Sequence, residues 1–114
     1  MHAAPSPLHV VLVTCPPDQA DTILLALLRR HLVGCGNILP AVRSRYWWRG
    51  ELCCDEEALL IMETTSERLA PLFTAIRELH PYEVPKILAL DPSACDPAYL
   101  AWLGEVTRPR DAPP

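Results

Sequence analysis

Two segments of the chain are apolar on both faces of the strands that they predict. The run Leu8 to Thr14 is β-branched and almost entirely apolar, and the run Ala58 to Met62 is apolar at every position. Neighbouring side chains of a strand point to opposite faces of its sheet, whereas a sheet with one face in water alternates apolar and polar residues. Helices can cover one face of this sheet, so we predict that another copy of the chain covers the second.

The predicted elements follow the order strand, helix, strand, strand, helix, strand and short helix. This order is the split βαβ pattern, so we predict an α+β, ferredoxin-like βαββαβ subunit with a four-stranded antiparallel sheet and an extra C-terminal helix. The strands are predicted at 8–14, 37–49, 51–64 and 84–90, and the two later helices at 66–79 and from residue 96. The first helix opens at Pro16-Pro17-Asp18 and is expected to end at Gly34 and Gly36.

Local signals refine several of these elements. Pro40 lies within the second strand and indicates an edge position or a bulge. Arg49-Gly50 is typical of a hairpin turn, and Pro71 is expected to delay the regular part of its helix to about Leu69. Asp96-Pro97 combines a capping acid with a proline at the first helical position, which predicts the start of the last helix.

Composition limits the classes of protein that the chain can represent. The 114 residues suffice for one domain, which we place at 8–106, with disordered proline-rich tails at 1–7 and 107–114. A net charge of −4 argues against a nucleic-acid partner, and no apolar run has the length of a membrane span. The first residues lack a signal-peptide pattern, and the five cysteines lack disulfide spacing, so we expect a cytoplasmic protein with free thiols.

The segment His80-Pro81-Tyr82-Glu83-Val84-Pro85 combines a stiff backbone with varied polar chemistry. Two prolines fix the chain, while an imidazole, a phenol and a carboxylate can bind metal or accept protons. Two interpretations stay open: a metal or ligand site, or a helix stop and strand start whose side chains cap and pack.

Other groups of polar residues point less directly to chemistry. The sequence carries no nucleophile elbow, phosphate-binding glycine loop or metalloprotease histidine pair, so we expect no enzyme. We interpret Asp55-Glu56-Glu57 as a solvated edge. Arginines and aromatic residues interleave over 43–49, and in an acidic chain this indicates a subunit interface rather than single-stranded nucleic acid.

A series of motifs in the same order resembles the CutA family of divalent-cation tolerance proteins. The motifs are LVTCPPD at 12–18, LVGCGNILP at 32–40, SRYWWRGEL at 44–52, Thr64-Thr65, HPYEVP at 80–85 and YLAW at 99–102. The resemblance implies a homotrimer related in fold to the PII signalling proteins, an association with copper or other divalent cations, and no established enzymatic activity.

The resemblance also implies a set of functional residues. Where family members have proposed copper ligands, these are a cysteine late in the first strand, the motif histidine and a glutamate, and the matching positions here hold Thr14, His80 and Lys86. We therefore expect a weak metal site centred on His80, with Cys35 and Glu83 as further candidate ligands. Candidate ligand or interface residues are Asn37, Tyr46, Trp48, Tyr82, Tyr99 and Trp102.

Two functional hypotheses follow from the sequence. The first is a non-enzymatic, trimeric protein of divalent-metal tolerance with a weak metal or small-ligand site. The alternative is a PII-like sensor that binds a metabolite or anion in a cleft between subunits. An acylphosphatase-type enzyme is disfavoured, because Pro16-Pro17 removes amide donors where such an enzyme cradles its anion.

Overall fold

The computed structural model describes residues 7–110, which form one α+β unit. Of the predicted tails, residues 1–6 and 111–114 lie outside the described residues. The elements are β1 (Leu8–Cys15), a 3₁₀ turn (Pro17–Gln19), α1 (Ala20–Arg29), β2 (Cys35–Trp48), β3 (Glu51–Thr65), α2 (Ser66–Leu79), β4 (Ile87–Leu90) and α3 (Pro97–Val106).

The four strands form one antiparallel sheet in the order β2-β3-β1-β4, which confirms the predicted fold class. The long strand β2 lies at an edge, and its pairing with β3 shifts between Leu39 and Val42, as the proline at position 40 predicts. At the far end of this pair, Arg49 and Gly50 have φ values of 50° and 81°. Two positive φ values are typical of a type I′ turn, so the predicted hairpin is also confirmed.

One face of the sheet packs under α1 and α2, and we call it the helix face. Its centre consists of side chains from β1 and β3 that are almost completely buried: Val11, Val13, Cys15, Ala58, Leu60 and Met62. The helices supply Ile23, Leu24, Leu27, Leu72, Ala75 and Ile76 to the same core. Burial on this face therefore lies within the single chain.

The opposite face has no helix over most of its area, and we call it the open face. Its apolar side chains come from all four strands: Val10, Leu12, Leu39, Leu59, Ile61, Leu88 and Leu90. Leu39, Leu88 and Leu90 are 40%, 48% and 51% exposed. The prediction of strands that are apolar on both faces is thus confirmed. Within the described residues, helices cover only one of the two faces.

Helix α1 ends earlier than the positions of Gly34 and Gly36 predict. Its last residue is Arg29, and His31 follows in the left-handed region with φ of 56°. The amide of Leu32 donates to Leu27 O and the amide of His31 donates to Leu28 O, each at 3.0 Å. This is the Schellman pattern with histidine in the place that glycine usually takes, so Gly34 and Gly36 do not end the helix.

Those two glycines serve close packing instead. A Cβ atom on Gly34 would lie 2.4 Å from Cδ1 of Leu103, and one on Gly36 would lie 2.3 Å from Cδ1 of Leu24. The prediction that they stop α1 was wrong, because glycine is favoured both where a helix ends in a left-handed residue and where the backbone is approached closely. The sequence alone does not distinguish these two reasons.

Two proline effects also differ from expectation. Helix α2 is regular from Ser66 although it contains Pro71. Strand β4 starts at Ile87 rather than at position 84, since Pro85 has no amide to donate to a neighbouring strand.

Helix α3 begins as predicted, with Oδ2 of Asp96 accepting the amides of Ala98 and Tyr99 at 3.0 and 3.3 Å. Its one buried side chain within the helix is Leu103, which packs against Gly34. Trp102, a candidate ligand or interface residue, is 44% exposed. The helix thus packs at one corner of the sheet. Within the described residues, no helix has the length and apolar character required to cross a membrane.

Candidate functional site

An open cleft of about 850 Å³ lies where the β2–β3 hairpin meets the segment 82–86 and the end of β1. Its lining combines aromatic rings with charged groups of both signs: Thr14, Arg43, Ser44, Arg45, Tyr46, Trp47, Trp48, Asp55, Glu57, Tyr82, Glu83, Val84, Pro85 and Lys86. Its volume falls within the range of small-molecule sites.

His80 supports this cleft from behind rather than lining it. The imidazole is buried, its Nε2 lies 2.7 Å from Thr14 O, and its Nδ1 accepts the amide of Tyr82 at 3.1 Å. An amide can only donate and a carbonyl can only accept, so the ring is the neutral tautomer with its proton on Nε2. Both nitrogens are occupied, and this geometry supports the interpretation of His80 as a capping residue that fixes the turn.

Tyr82 and Glu57 form the inner wall of the cleft. The ring of Tyr82 lies 4.6 Å from the His80 ring, and its hydroxyl donates to Oε2 of Glu57 at 2.9 Å. Burial and this hydrogen bond raise the pKa of Tyr82, so the phenol stays protonated. Glu57 is only 5% exposed, and no cation among residues 7–110 lies within ion-pair distance of it.

A second phenol–carboxylate pair lies next to the first on the hairpin. The Tyr46 hydroxyl donates to Oδ2 of Asp55, and this hydrogen bond raises the pKa of Tyr46 to about 12. The contact follows from register, because Ser44 is directly opposite Asp55 and Tyr46 is its diagonal neighbour. Two of the three carboxylates that line the cleft, Asp55 and Glu57, are therefore each held by a neutral phenol.

Arg49 contacts two residues of the cleft lining, Glu83 and Trp48. Its guanidinium Nη2 donates to Oε2 of Glu83 at 2.9 Å, and its Cζ lies 5.3 Å from the centroid of the Trp48 ring. Both ionic groups are largely exposed, so this contact is weak in water. Glu83, a predicted metal ligand, is engaged by a cation of its own chain.

The remaining candidate residues gather at the other end of the open face. Cys35 is the strand partner of Glu63, and the Tyr99 hydroxyl donates to Oε1 of Glu63 at 2.7 Å. Tyr99 packs against Trp102 with ring centroids 5.5 Å apart, and Asn37 is an exposed residue of the same strand as Cys35. Burial and the bond to Glu63 raise the pKa of Tyr99.

The three predicted metal ligands do not converge within the chain. Glu57 at the cleft and Glu63 beside Cys35 are six residues apart on β3, which is roughly 20 Å at the rise of a strand. Among the described residues, no three His, Cys, Asp or Glu side chains come together in a group that could hold a metal ion. A complete metal site would need ligands beyond those that one chain brings together.

Sequence reasoning missed Asp55 and Glu57 as carboxylates of the cleft, because it assigned both to a solvated edge. It also missed a chain of contacts in which His9 Nε2 lies 2.9 Å from the Ser66 hydroxyl and His9 Nδ1 lies 2.7 Å from Oδ1 of Asp91. The imidazole–carboxylate contact lacks hydrogen-bond alignment. We assign this chain a structural role, tying the ends of β1 and β4 to the start of α2.

The chain is similar to known proteins over nearly its whole described length. A family model described as CutA1 divalent ion tolerance protein matches residues 9–106. The divalent-cation tolerance protein CutA of Thermus thermophilus is 42% identical over 100 residues, covering 87% of this chain and 97% of that protein. A CutA homolog of Xenopus laevis is 38% identical, and the match covers 87% of this chain but 66% of that longer protein.

The fold is likewise similar to a solved structure. The PII-like protein CutA of Nostoc, in its apo form, superposes with a TM-score of 0.85 and 30% identity, covering 90% of this chain and 99% of that one. The likeness therefore extends over most of the fold.

Proposed function

Because the chain belongs to the CutA1 divalent ion tolerance family, we propose that it is a non-enzymatic cation-tolerance protein that acts as a cytoplasmic homotrimer. The exposed apolar side chains of the open face support the proposed assembly. Leu39, Leu88 and Leu90 are 40–51% exposed on one continuous sheet surface, and exposed apolar patches of this kind are typical of subunit interfaces.

We place the ligand site of this protein in the cleft, and the observation that carries the proposal is the nearly buried carboxylate of Glu57. A buried carboxylate without a cation is costly unless something else compensates its charge. Tyr82 compensates part of that cost with one hydrogen bond. A cation entering the cleft would compensate the rest.

Weak binding of copper or another divalent metal follows from the same residues. Asp55 and Glu57 offer oxygen ligands, whereas both nitrogens of His80 are engaged. Two carboxylates are fewer ligands than divalent metals usually take. A neighbouring subunit or water would have to complete the coordination, so affinity is expected to be modest.

The non-enzymatic part of the proposal is supported by Cys15, a fully buried thiol on the helix face that follows Thr14 of the cleft lining. Burial, followed by the charges of Glu57 and Asp18, raises the pKa of Cys15 to about 11. The reactive form of a cysteine is the thiolate, and this thiol is almost entirely protonated at neutral pH.

A PII-like sensor of anions or metabolites is the second candidate. It is favoured by the likeness to a PII-like structure and by Arg43, Arg45 and Lys86 in the lining. Its ligand would be an anion, so probes of opposite charge separate the two candidates.

Calorimetric titration with Cu²⁺ tests the metal proposal. All variants carry His2→Ala, which removes an imidazole near the amino terminus. We expect Glu57→Gln to weaken Cu²⁺ binding, and Glu56→Gln to leave it unchanged because Glu56 points to the opposite face of the same strand. Equal Cu²⁺ affinity for the two variants would contradict a metal site in the cleft.

A further inference from the structure

We propose that the cleft receives an organic cation, an amine or a guanidinium, with Asp55 and Glu57 facing its charge and the rings of Tyr46, Trp48 and Tyr82 around it. This inference rests on the proposed function, since it assigns a ligand class to the same site. It differs from that proposal in naming an organic group rather than a bare metal ion.

The carboxylates supply the charge for such a ligand. Asp55 and Glu57 are two residues apart on β3, so their side chains leave the same face of the strand. Each accepts a hydrogen bond from a neutral phenol, and neither has an ion pair within residues 7–110. An incoming ammonium or guanidinium would supply several N–H donors and a positive charge to both.

The aromatic rings supply the second half of the site. Cations bind over the faces of tryptophan and tyrosine, and desolvated examples are the strongest. The chain already uses this chemistry, because the Arg49 guanidinium lies over the Trp48 ring while it pairs with Glu83. The Trp48 ring and the Glu83 carboxylate thus hold a guanidinium beside the cleft, and the tyrosine–carboxylate pairs of the lining repeat this combination without a cation.

The same residues fit a metal ion less well. Aromatic ring faces are not metal ligands, and the raised pKa values of the two tyrosines keep their oxygens protonated. Divalent ions select several oxygen, nitrogen or sulfur ligands, and no group of three is present in the described chain. A cleft of about 850 Å³ is also far larger than one ion needs.

An anion is disfavoured by the direction of the basic side chains. Arg43 and Arg45 line the cleft, but they alternate with Ser44 and Tyr46 along β2, so their side chains start from the face opposite to Asp55 and Glu57. Lys86 lines the cleft from the separate segment after Pro85, not from the strand that carries Asp55 and Glu57. The wall that the hairpin contributes through Tyr46, Asp55 and Glu57 is acidic and aromatic.

The test is a calorimetric titration of the full chain with agmatine, which carries an ammonium and a guanidinium, with tryptophan fluorescence as a second readout. We expect saturable binding that Glu57→Gln weakens by roughly tenfold to a hundredfold, the loss expected for one hydrogen bond to a charged group. Glu56→Gln, on the opposite face of β3, should bind as the wild type does. Asp55→Asn is a second variant at an exposed position, and we expect it to weaken binding without affecting folding.

Each outcome of these titrations either supports or contradicts the proposal of an organic-cation site. Saturable agmatine binding that falls with Glu57→Gln and Asp55→Asn supports the inference. Absence of agmatine binding, equal binding by all variants, or binding of citrate in place of agmatine would each overturn it. Cu²⁺ is titrated in parallel, so binding of Cu²⁺ without agmatine overturns this inference alone, and binding of agmatine without Cu²⁺ overturns the metal proposal alone.

Arg49 provides a further check on the same site. If its guanidinium occupies a cation position over Trp48, Arg49→Gln should free that ring and tighten agmatine binding by about twofold to fivefold, the value of an exposed cation–π contact. Weaker agmatine binding by this variant would contradict the interpretation of Arg49 as an internal substitute for the ligand.

Discussion

The two faces of the sheet are built from the same strands but differ in what covers them. On the helix face, Val13 and Leu60 are completely buried under α1 and α2. On the open face, Leu88 and Leu90, which pair with β1, are about half exposed. Strand composition is alike on both sides, so the difference arises from the helices, which lie almost entirely on one side.

This difference separates two roles of burial in the molecule. The helix face holds the subunit together, because its apolar contacts lie within one chain. The open face is available for assembly, and the cleft lies beside it, between the hairpin and the segment 82–86. The proposed assembly and the proposed ligand site therefore share one side of the sheet, and we expect changes on the helix face to affect neither directly.

A charge placed on each side of the molecule tests which face takes part in assembly. Leu88 on the open face and Leu25 on α1 are similarly exposed, at 48% and 43%. We expect Leu88→Asp to dissociate the assembly, since burying an unpaired carboxylate in an interface costs several kcal/mol per subunit. We expect Leu25→Asp to leave the assembly intact.

Light scattering coupled to size-exclusion chromatography measures both outcomes. The wild type and Leu25→Asp should have a mass near three times the 12.7 kDa of one chain, and Leu88→Asp should approach the mass of one chain. Dissociation by Leu25→Asp, or an unchanged mass for Leu88→Asp, would show that the open face is not the interface.

The fold could be predicted where the signal is local or follows a period. The strands apolar on both faces, the hairpin at Arg49-Gly50 and the cap at Asp96 are all present in the structure. The end of α1 could not be predicted, because the left-handed residue is His31 and not a glycine. Its side chain accounts for part of this choice, since Nδ1 of His31 lies 3.0 Å from the carbonyl of Val106, far along the chain.

The candidate site was harder to predict than the fold. Tyr46 and Asp55 could have been paired from the hairpin, since a two-residue turn fixes the register of the strands on either side. The contacts of His80 with Thr14 and of Tyr82 with Glu57 could not, because they join residues 66 and 25 positions apart. The cleft depends on these tertiary contacts, so the sequence indicated Tyr82 and Glu83 as residues of the site but not Asp55 and Glu57.

Helix α3 marks the limit of the open face, and Gly34 tests how closely it packs there. A Cβ atom at Gly34 would lie 2.4 Å from Leu103 Cδ1 and 2.9 Å from Val106 Cγ2. Leu103 is completely buried and has little room to move. We expect Gly34→Ala to lower the free energy of unfolding by about 1–3 kcal/mol, the typical cost of overpacking.

Gly104 on the same helix is the matched control, because a Cβ atom there meets nothing within 4 Å. Gly104→Ala should raise stability by up to about 1 kcal/mol through helix propensity. Chemical denaturation measures the free energy of unfolding of both variants. If Gly34→Ala is as stable as the wild type, then α3 does not cover this corner of the sheet tightly.

The smallest expected effect concerns the helix face at high pH. Burial raises the pKa of Cys15 from 9.0 to about 11, so the folded state favours the protonated thiol. Because the thiol loses its proton more readily in the unfolded state, its contribution to stability is fully present below the unfolded pKa. That contribution is lost as the pH rises from 9 towards 11. At pH 10 the loss from this one group is about 1 kcal/mol relative to neutral pH. The raised pKa values of Tyr46, Tyr82 and Tyr99 act in the same direction.

Denaturation between pH 7 and 10 should therefore show a shallower loss of stability for both Cys15→Ala and Cys15→Ser than for the wild type. The two variants differ in size and polarity but both remove the ionisable thiol, so a shared change in slope identifies its ionisation. Identical slopes for all three proteins would mean that the thiolate of Cys15 is tolerated in the folded state, and that the helix face is less dry than its burial indicates.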